Sequence, residues 1–165
     1  MDPEDTIIDR GVGDPDHLQR LWTPHRMTYI ADAVKAGAAA SSEPFSDIPN
    51  MSDEDGLVVA RGTLVYAVLN LYPYNPGHLM VVPYRRVAEL ENLTEAESAE
   101  LMAFTQKAIR VMKAVSRPHG FNVGLNLGTS AGGSLSEHLH MHVVPRWGGD
   151  ANFIKIGRAS CRERV

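Results

Sequence analysis

The stretch HLHMHVV, residues 138–144, decides how this 165-residue sequence is interpreted. Histidines stand at positions 138, 140 and 142, with an apolar residue after each. Because side chains alternate between the two faces of a β-strand, the spacing predicts a strand with three imidazoles on one face and apolar residues on the other. Such strict alternation of an uncommon residue favours a functional site over a half-exposed strand that uses histidine by chance.

Segments upstream supply further strands of the same sheet. The runs LVYAVLNL, residues 64–71, and HLMVVP, 78–83, are dense in strand formers, and YPYNPG between them supplies turn residues. FNVGLNLG, 121–128, predicts another strand, which the Gly- and Ser-rich turn TSAGGSLSE follows. Two clusters of strands without regular βαβ alternation predict an α+β fold with a mainly antiparallel sheet.

A long helix separates the two clusters of strands. Thr94 and Glu97 have the spacing of a capping box at the start of TEAESAELMAFTQKAIRVMKAVSR. One helical face is predicted to cover the sheet, and it carries Leu101, Phe104, Ala108, Val111 and Val115.

The remaining segments divide the chain into three parts. Residues 1–55 are predicted to hold a flexible acidic start, a helical arm in LQRLWTPHRMTYIADAVKAG and a surface loop over 35–55. The main domain is predicted over 56–155. The last ten residues, IGRASCRERV, carry three Arg and one Glu and resemble translated sequencing-adaptor DNA. Residues 156–165 are therefore interpreted as a non-native tail, excluded from the fold prediction.

Composition excludes several classes of partner. Lys and Arg number 16 against 20 Asp and Glu, and this net charge of −4 argues against nucleic acid or lipid held by bulk charge. Cys161 is the only cysteine, so neither an internal disulfide nor a thiolate zinc site can form. The acidic start is unlike a signal peptide, and no run approaches a membrane span. The sequence predicts a cytoplasmic protein without a membrane partner.

Metal binding is the first chemistry that three spaced histidines allow. A strand advances about 3.3 Å per residue, so residues 138 and 142 lie about 13 Å apart, too far for three rings to converge on one ion. A zinc site would need a further ligand, for which His78, Glu137 and Asp150 are candidates. This alternative stays open beside the prediction of no metal.

A row of imidazoles suits an extended polyanion better than it suits one metal ion. Each ring can donate to phosphate oxygens, and one ring can act as the nucleophile. The middle residue, His140, is the natural nucleophile, which requires that its second ring nitrogen hold the proton and a partner. The flanking His138 and His142 can then bind phosphate, and the turn GTSAGGS offers backbone N–H groups for the same anion.

These motifs resemble the histidine triad family of nucleotide hydrolases and transferases. The resemblance rests on HLHMHVV, on NLYPYNPGHLMVVP, on the spacing from Asn126 through Gly133 to the triad, and on PRWGGD. It covers roughly residues 57–153 and implies a mainly antiparallel sheet of about five strands with a long helix packed on it. The Trp-containing arm, the Ser-bearing loop and HVVPRWGGDANF are most similar to the branch of actinobacterial diadenosine tetraphosphate phosphorylases.

The resemblance implies a role for individual residues. His140 becomes nucleotidylated, and His138 and His142 organise it and the phosphates. The implied substrate contacts are Asn70 for ribose, Leu71 for the base, Asn126, Gly133 and Ser134 for the phosphate chain, and Trp147 near the second nucleotide. His78 takes the family's fourth histidine position, with a structural or a catalytic role. For Trp22, Tyr72 and Tyr74, packing against the core is at least as good an explanation as base stacking.

The activity implied is phosphorolysis of diadenosine tetraphosphate to ATP and ADP by a homodimer or a higher homo-oligomer. Adenine dinucleoside polyphosphate and inorganic phosphate are the implied partners; no cofactor is required, although magnesium can accompany the phosphates. Ser134 and Ser136 replace the Gln and the aliphatic residue of many hydrolase members, which favours an acceptor other than water. A hydrolase of dinucleoside polyphosphates or nucleoside phosphoramidates, and a nucleotide-binding regulator with little turnover, are the alternatives.

Overall fold

A computed structural model describes residues 43–128, 131 and 135–150. There, one sheet is formed by β1 Val58–Arg61, β2 Val65–Leu69, β3 Leu79–Pro83, β4 Gly120–Gly124 and β5 Met141–Arg146. The strand order is β1-β2-β3-β5-β4, and every neighbouring pair is antiparallel. The helices are α1 Pro44–Asp47 and α2 Glu95–Val115, with short 3-10 turns at Ile48–Asn50 and Leu90–Asn92. The prediction of an α+β fold with about five antiparallel strands is confirmed; the predicted helical arm and tail lie outside the described residues.

An apolar cluster packs on each face of the sheet, because successive side chains of a strand point to opposite faces. The face toward α2 packs around Val65, Leu79, Val81, Leu101, Ala108, Met112, Leu139, Met141 and Val143. The opposite face packs around Phe45, Val58, Tyr66, Val68, Met80 and Val82. We call this second side the histidine face, since the triad side chains lie there.

Helix α2 begins at the predicted capping box. The Thr94 hydroxyl accepts from the Glu97 N–H at 3.2 Å, and the Glu97 carboxylate accepts from the Thr94 N–H at 2.8 Å. The predicted buried face is wrong in part. Val111 and Val115 are 52% and 80% exposed, because at about 100° per residue Val111 lies at the margin of the stripe and Val115 is the last helical residue. Thr105 and Met112 are buried in their place, while Leu101 and Ala108 are buried as predicted and Phe104 is partly buried against the same core.

The triad strand begins later than predicted. β5 starts at Met141, whereas the histidine pattern placed the strand start at His138. The ladder between β3 and β5 ends at the Val81–Met141 pair, and β3 ends at Pro83, which has no N–H to donate. The Leu139 N–H instead donates to the Val87 carbonyl at 2.7 Å.

Side chains of residues 138–143 still alternate between the two faces, although the ladder with β3 ends at Met141. Leu139, Met141 and Val143 enter the core against α2, as the spacing predicted. The imidazoles of His138 and His140 contact Phe45, which belongs to the cluster on the opposite face.

The predicted surface loop over 35–55 is also wrong in part. Pro44–Asp47 form the helix α1, and Ile48–Asn50 form a 3-10 turn, each with proline in its first turn. Phe45 is 4% exposed and belongs to the cluster of the histidine face. Burial of one aromatic side chain therefore converts part of a polar stretch into an element that covers the sheet.

The strand predicted over 64–71 is shorter in the structure. β2 ends at Leu69, so Asn70 and Leu71 follow it, and the Leu71 side chain is 67% exposed. Across the described part of the chain, no helix is long and apolar enough to cross a bilayer.

Glu97 is expected to stabilise the fold in a pH-dependent way. Two hydrogen bonds from Arg85, then the Thr94 N–H, lower the pKa of the buried Glu97 carboxyl from 4.5 to about 2. A lowered folded-state pKa stabilises the native state above about pH 4.5, and this stabilisation is lost as the pH falls toward 2. Glu97→Gln should lower the free energy of unfolding at pH 7 by about 1–3 kcal/mol, measured by urea denaturation.

The difference between wild type and Glu97→Gln should shrink when the denaturation is repeated at pH 3. Glu95→Gln is the matched control, because Glu95 is exposed in the same helical turn. That control should change the free energy of unfolding by no more than about 0.5 kcal/mol. If Glu97→Gln loses the same free energy of unfolding at pH 7 and pH 3, the lowered pKa of Glu97 does not stabilise the fold.

Candidate active site

One ring nitrogen of His140 is hydrogen-bonded to the backbone, and the other carries a lone pair. Its Nδ1 lies 2.8 Å from the His138 carbonyl oxygen. A carbonyl can only accept, so Nδ1 carries the hydrogen and Nε2 of the neutral ring is unprotonated. Burial lowers the pKa of His140 below 6.5, since a ring 8% exposed is poorly solvated as the imidazolium ion. The ring is thus a neutral nucleophile at pH 7.

His138 is held by the end of β3. Its Nε2 donates to the Pro83 carbonyl at 2.9 Å, so its Nδ1 carries the lone pair. This Nδ1 is buried and has no hydrogen-bond partner among the residues that the structure describes. Burial, together with the nearby Arg86 cation, lowers the pKa of His138, against opposing effects from Pro83 and Glu43. His138 is therefore neutral as well, and its backbone carbonyl fixes His140.

His142 forms a hydrogen-bonded pair with His78, which lies 64 positions earlier in the chain. The His78 Nε2 and the His142 Nδ1 are 2.9 Å apart. His78 Nδ1 accepts from the Tyr74 N–H at 3.1 Å and lies 3.3 Å from the Asn70 amide nitrogen. Since Nδ1 of His78 accepts, its hydrogen lies on Nε2 and is donated to His142.

This chain of donors defines the second ring nitrogen of the neutral His142. Because Nδ1 of His142 accepts from His78, the hydrogen of His142 lies on Nε2. The His140 and His142 ring centroids are 4.8 Å apart, with the planes at 73°. The site therefore places an unprotonated nitrogen beside a ring whose second nitrogen is an N–H donor. That pair can attack an electrophilic phosphorus and stabilise charge on its oxygens.

Five of the predicted site residues are in contact with one another in the structure. The three triad histidines, His78 and Asn70 form one connected group. Asn70 accepts from the Tyr72 N–H through its side-chain oxygen, at 2.9 Å. Half-buried Asn126 follows β4, and half-buried Trp147 follows β5. Gly133 and Ser134 lie outside the described residues.

A zinc site would require ligands such as His78, Glu137 or Asp150 beside the triad. Among the described residues, no group of three or more His, Cys, Asp or Glu is arranged to hold a metal ion. Nε2 of His78 instead contacts the ring of His142. Glu137 lies 3.6 Å from the Arg86 guanidinium, as part of an ion pair.

Sequence reasoning missed Phe45, whose ring centroid lies 4.8 Å from that of His140 and 5.7 Å from that of His138. The sequence contained only a weak indication of a helical turn at this position. Pro44 suits a first helical turn, and Phe45 and Ile48 have the i, i+3 spacing of one apolar side. Within a 21-residue stretch that is mostly polar or small, a single turn of this kind does not indicate what it packs on.

The antiparallel sheet, the long helix and the paired imidazoles define a histidine triad protein. A family model described as the HIT domain matches residues 52–149, more than half of the sequence. The chain therefore belongs to the HIT domain family.

Individual relatives refine this assignment. A Mycobacterium tuberculosis protein named AP-4-A phosphorylase is 78% identical over 155 residues, 92% of this chain and 80% of that protein. A Schizosaccharomyces pombe protein named asymmetrical bis(5'-nucleosyl)-tetraphosphatase is 36% identical over 89 residues, 54% of this chain and 48% of that protein. The crystal structure of a HIT family protein from Bacillus anthracis has a TM-score of 0.61 and 23% identity, covering 78% of this chain and 87% of that one.

Proposed function

We propose that this protein cleaves diadenosine tetraphosphate by phosphorolysis, giving ATP and ADP through a nucleotidyl intermediate on His140. The observation that carries the proposal is the 2.8 Å bond from His140 Nδ1 to the His138 carbonyl, which leaves Nε2 as the nucleophile. The 78% identity to a protein named AP-4-A phosphorylase supports the same substrate and reaction.

The first chemical step forms a covalent bond to His140. Nε2 attacks the α-phosphorus of one adenylate, the bond from that phosphorus to the bridging oxygen breaks, and ATP leaves. The Nε2–H of His142 would stabilise negative charge on the phosphate oxygens, because His78 fixes its tautomer. AMP is then held as a phosphoramidate on His140.

In the second step inorganic phosphate displaces His140. A phosphate oxygen attacks the same phosphorus, the phosphorus–nitrogen bond breaks, and ADP is released with His140 again neutral. The incoming phosphate becomes the β-phosphate of ADP. Asn126, Gly133 and Ser134 are proposed to bind the phosphate chain, and Trp147 to border the second nucleotide.

The nucleoside contacts are proposed for the end of β2. Leu71 is exposed there and can pack on a base, and Asn70 can reach the ribose. Asn70 has a second contact that the resemblance did not imply, since its amide nitrogen lies 3.3 Å from Nδ1 of His78. A ligand bound to Asn70 would thus lie beside the pair of histidines.

No catalytic metal is proposed, because the residues that would stabilise charge are ring N–H groups and loop donors. Magnesium bound to the substrate phosphates is compatible with this chemistry. We also propose a cytoplasmic homodimer. β4 is an edge strand with Val123 exposed, and Val111 and Val115 expose apolar surface on α2, which together favour association of two copies.

Hydrolysis by the same covalent step is the second candidate. The S. pombe relative, 36% identical over 89 residues, carries a tetraphosphatase name. In this version water attacks the nucleotidyl intermediate and releases AMP. Both candidates use His140, so only the second step separates them.

Product analysis with labelled phosphate separates the candidates. The protein is incubated with diadenosine tetraphosphate, with and without ³²P-labelled inorganic phosphate, and the nucleotides are separated by chromatography. Phosphorolysis predicts ATP and ADP only when phosphate is present, with the label in the β-phosphate of ADP. ATP and AMP in both tubes would establish the hydrolase, and no product would favour the nucleotide-binding regulator.

A further inference from the structure

The residues 43–51 cover the histidine face beside the nucleophile. Phe45, in α1, is 4% exposed. Its ring centroid lies 4.8 Å from that of His140, with 44° between the planes, and 5.7 Å from that of His138, at 76°. One phenyl ring therefore contacts two of the three triad imidazoles.

Three anchors hold this segment in place. The buried Tyr66 hydroxyl of β2 donates to the Phe45 carbonyl at 2.8 Å. Arg86, after β3, forms an ion pair with Glu43 at 2.6 Å. At the other end, Arg61 donates to the Pro49 carbonyl at 2.9 Å and to the Met51 carbonyl at 3.2 Å. The segment that carries the Phe45 ring is thus held at three points.

The His140 ring is enclosed between neighbours as a result. The Phe45 ring and the His142 ring each have a centroid 4.8 Å from that of His140. Rotation of the imidazole away from the His138 carbonyl would have to displace one of these rings, because buried side chains are close-packed. The phenyl ring offers no hydrogen bond, so it also keeps polar solvent from that side.

We propose that Phe45 is a positioning residue for nucleotidyl transfer. Its ring holds the His140 imidazole in the orientation in which Nδ1 donates to His138 and Nε2 is the nucleophile. This inference rests on the proposed function in assigning the attack to His140. Phe45 acts on the substrate only through His140.

Removal of the phenyl ring should change how His140 titrates. Of the titratable groups, His138 and His142 face His140 directly; Arg86 and Glu43 act on His138, and His78 is bonded to His142. All of these remain in a Phe45 variant. Because burial is the main cause of the lowered pKa of His140, loss of the ring should raise that pKa toward 6.5.

The test compares Phe45→Leu and Phe45→Ala with Ile48→Ala in the full chain. Ile48 belongs to the same segment and packs on the same apolar cluster, but has no ring contact with the triad. Phe45→Leu should lower kcat about 10-fold and Phe45→Ala about 100-fold, with KM changed less than twofold. In the kcat–pH profiles of both Phe45 variants, the acidic limb should move to higher pH. The acidic limb of Ile48→Ala should stay at the wild-type pH.

Nitrogen-15 NMR of the histidine rings gives a readout that does not need turnover. Wild type should show His140 as the Nδ1–H tautomer, and Phe45→Leu should show a mixture of tautomers with a raised pKa. A Phe45→Leu variant with the wild-type tautomer and pH profile would overturn the proposal, as would a raised KM with unchanged kcat. If Phe45→Leu shows the mixture of tautomers but wild type gives no phosphorolysis, the proposed function fails and the positioning of His140 by Phe45 stands.

Discussion

His140→Ala should lower the turnover of diadenosine tetraphosphate by about five to six orders of magnitude. Removal of a covalent nucleophile in a serine protease has an effect of this size, because every later step depends on the intermediate. The Nε2 lone pair of His140 is the group that attacks, and the neighbouring rings have different hydrogen-bond assignments. The lone pair of His138 is on its buried Nδ1, since Nε2 donates to Pro83. His142 accepts at Nδ1 from His78 and carries its hydrogen on Nε2, so neither ring replaces the missing nitrogen.

The loss of activity should not follow from loss of fold. Val58→Ala is a matched control, because Val58 is buried in the apolar cluster of the histidine face but has no part in the chemistry. It should destabilise the protein by about 1–3 kcal/mol and keep nearly full activity. Intact-mass spectrometry after a quench without phosphate should find AMP on wild type and on Val58→Ala, and none on His140→Ala. A His140→Ala variant that still turns over would disprove the covalent assignment.

Local sequence patterns predicted the scaffold well because their causes are local. Alternation of apolar and polar residues sends Leu139 and Met141 into the core, and Thr94 with Glu97 starts α2 where the capping box stands. The start of β5 was predicted less well. It depends on the pairing with β3, and Pro83, more than fifty residues upstream, cannot extend that ladder.

The spacing of the histidines predicted the triad, but it did not predict the groups that orient the triad. His78 is hydrogen-bonded to His142, 64 positions later in the chain, and the Tyr74 N–H that fixes the tautomer of His78 comes from a turn. Neither contact has a periodicity that one sequence can display. Phe45 was missed for the same reason, since its burial depends on Tyr66 and the histidines rather than on its own polar surroundings.

His142→Ala should give the second largest effect, a fall in kcat of about 10²- to 10⁴-fold. The variant keeps the nucleophile of His140 but loses the Nε2–H that stabilises the phosphate oxygens. His78→Ala should lower kcat about 10-fold, because His142 remains present but can then place its hydrogen on either nitrogen. Both substitutions leave the His140–His138 hydrogen bond in place, so AMP transfer to His140 should persist at reduced rates.

The double variant His78→Ala/His142→Ala tests whether His78 affects kcat only through His142 or independently of it. If His78 acts only through His142, the double variant should be no slower than His142→Ala alone, because the positioned group is already absent. His78→Phe keeps a ring stacked near Tyr74 but has no N–H, so it should reproduce the 10-fold loss and show that the donor rather than the packing matters. Losses that multiply in the double variant would instead mean that His78 contacts the substrate or supports the fold separately. Nitrogen-15 NMR of His78→Phe decides whether His78 acts through His142 or separately. Only action through His142 predicts that the fixed Nε2–H tautomer of His142 is lost.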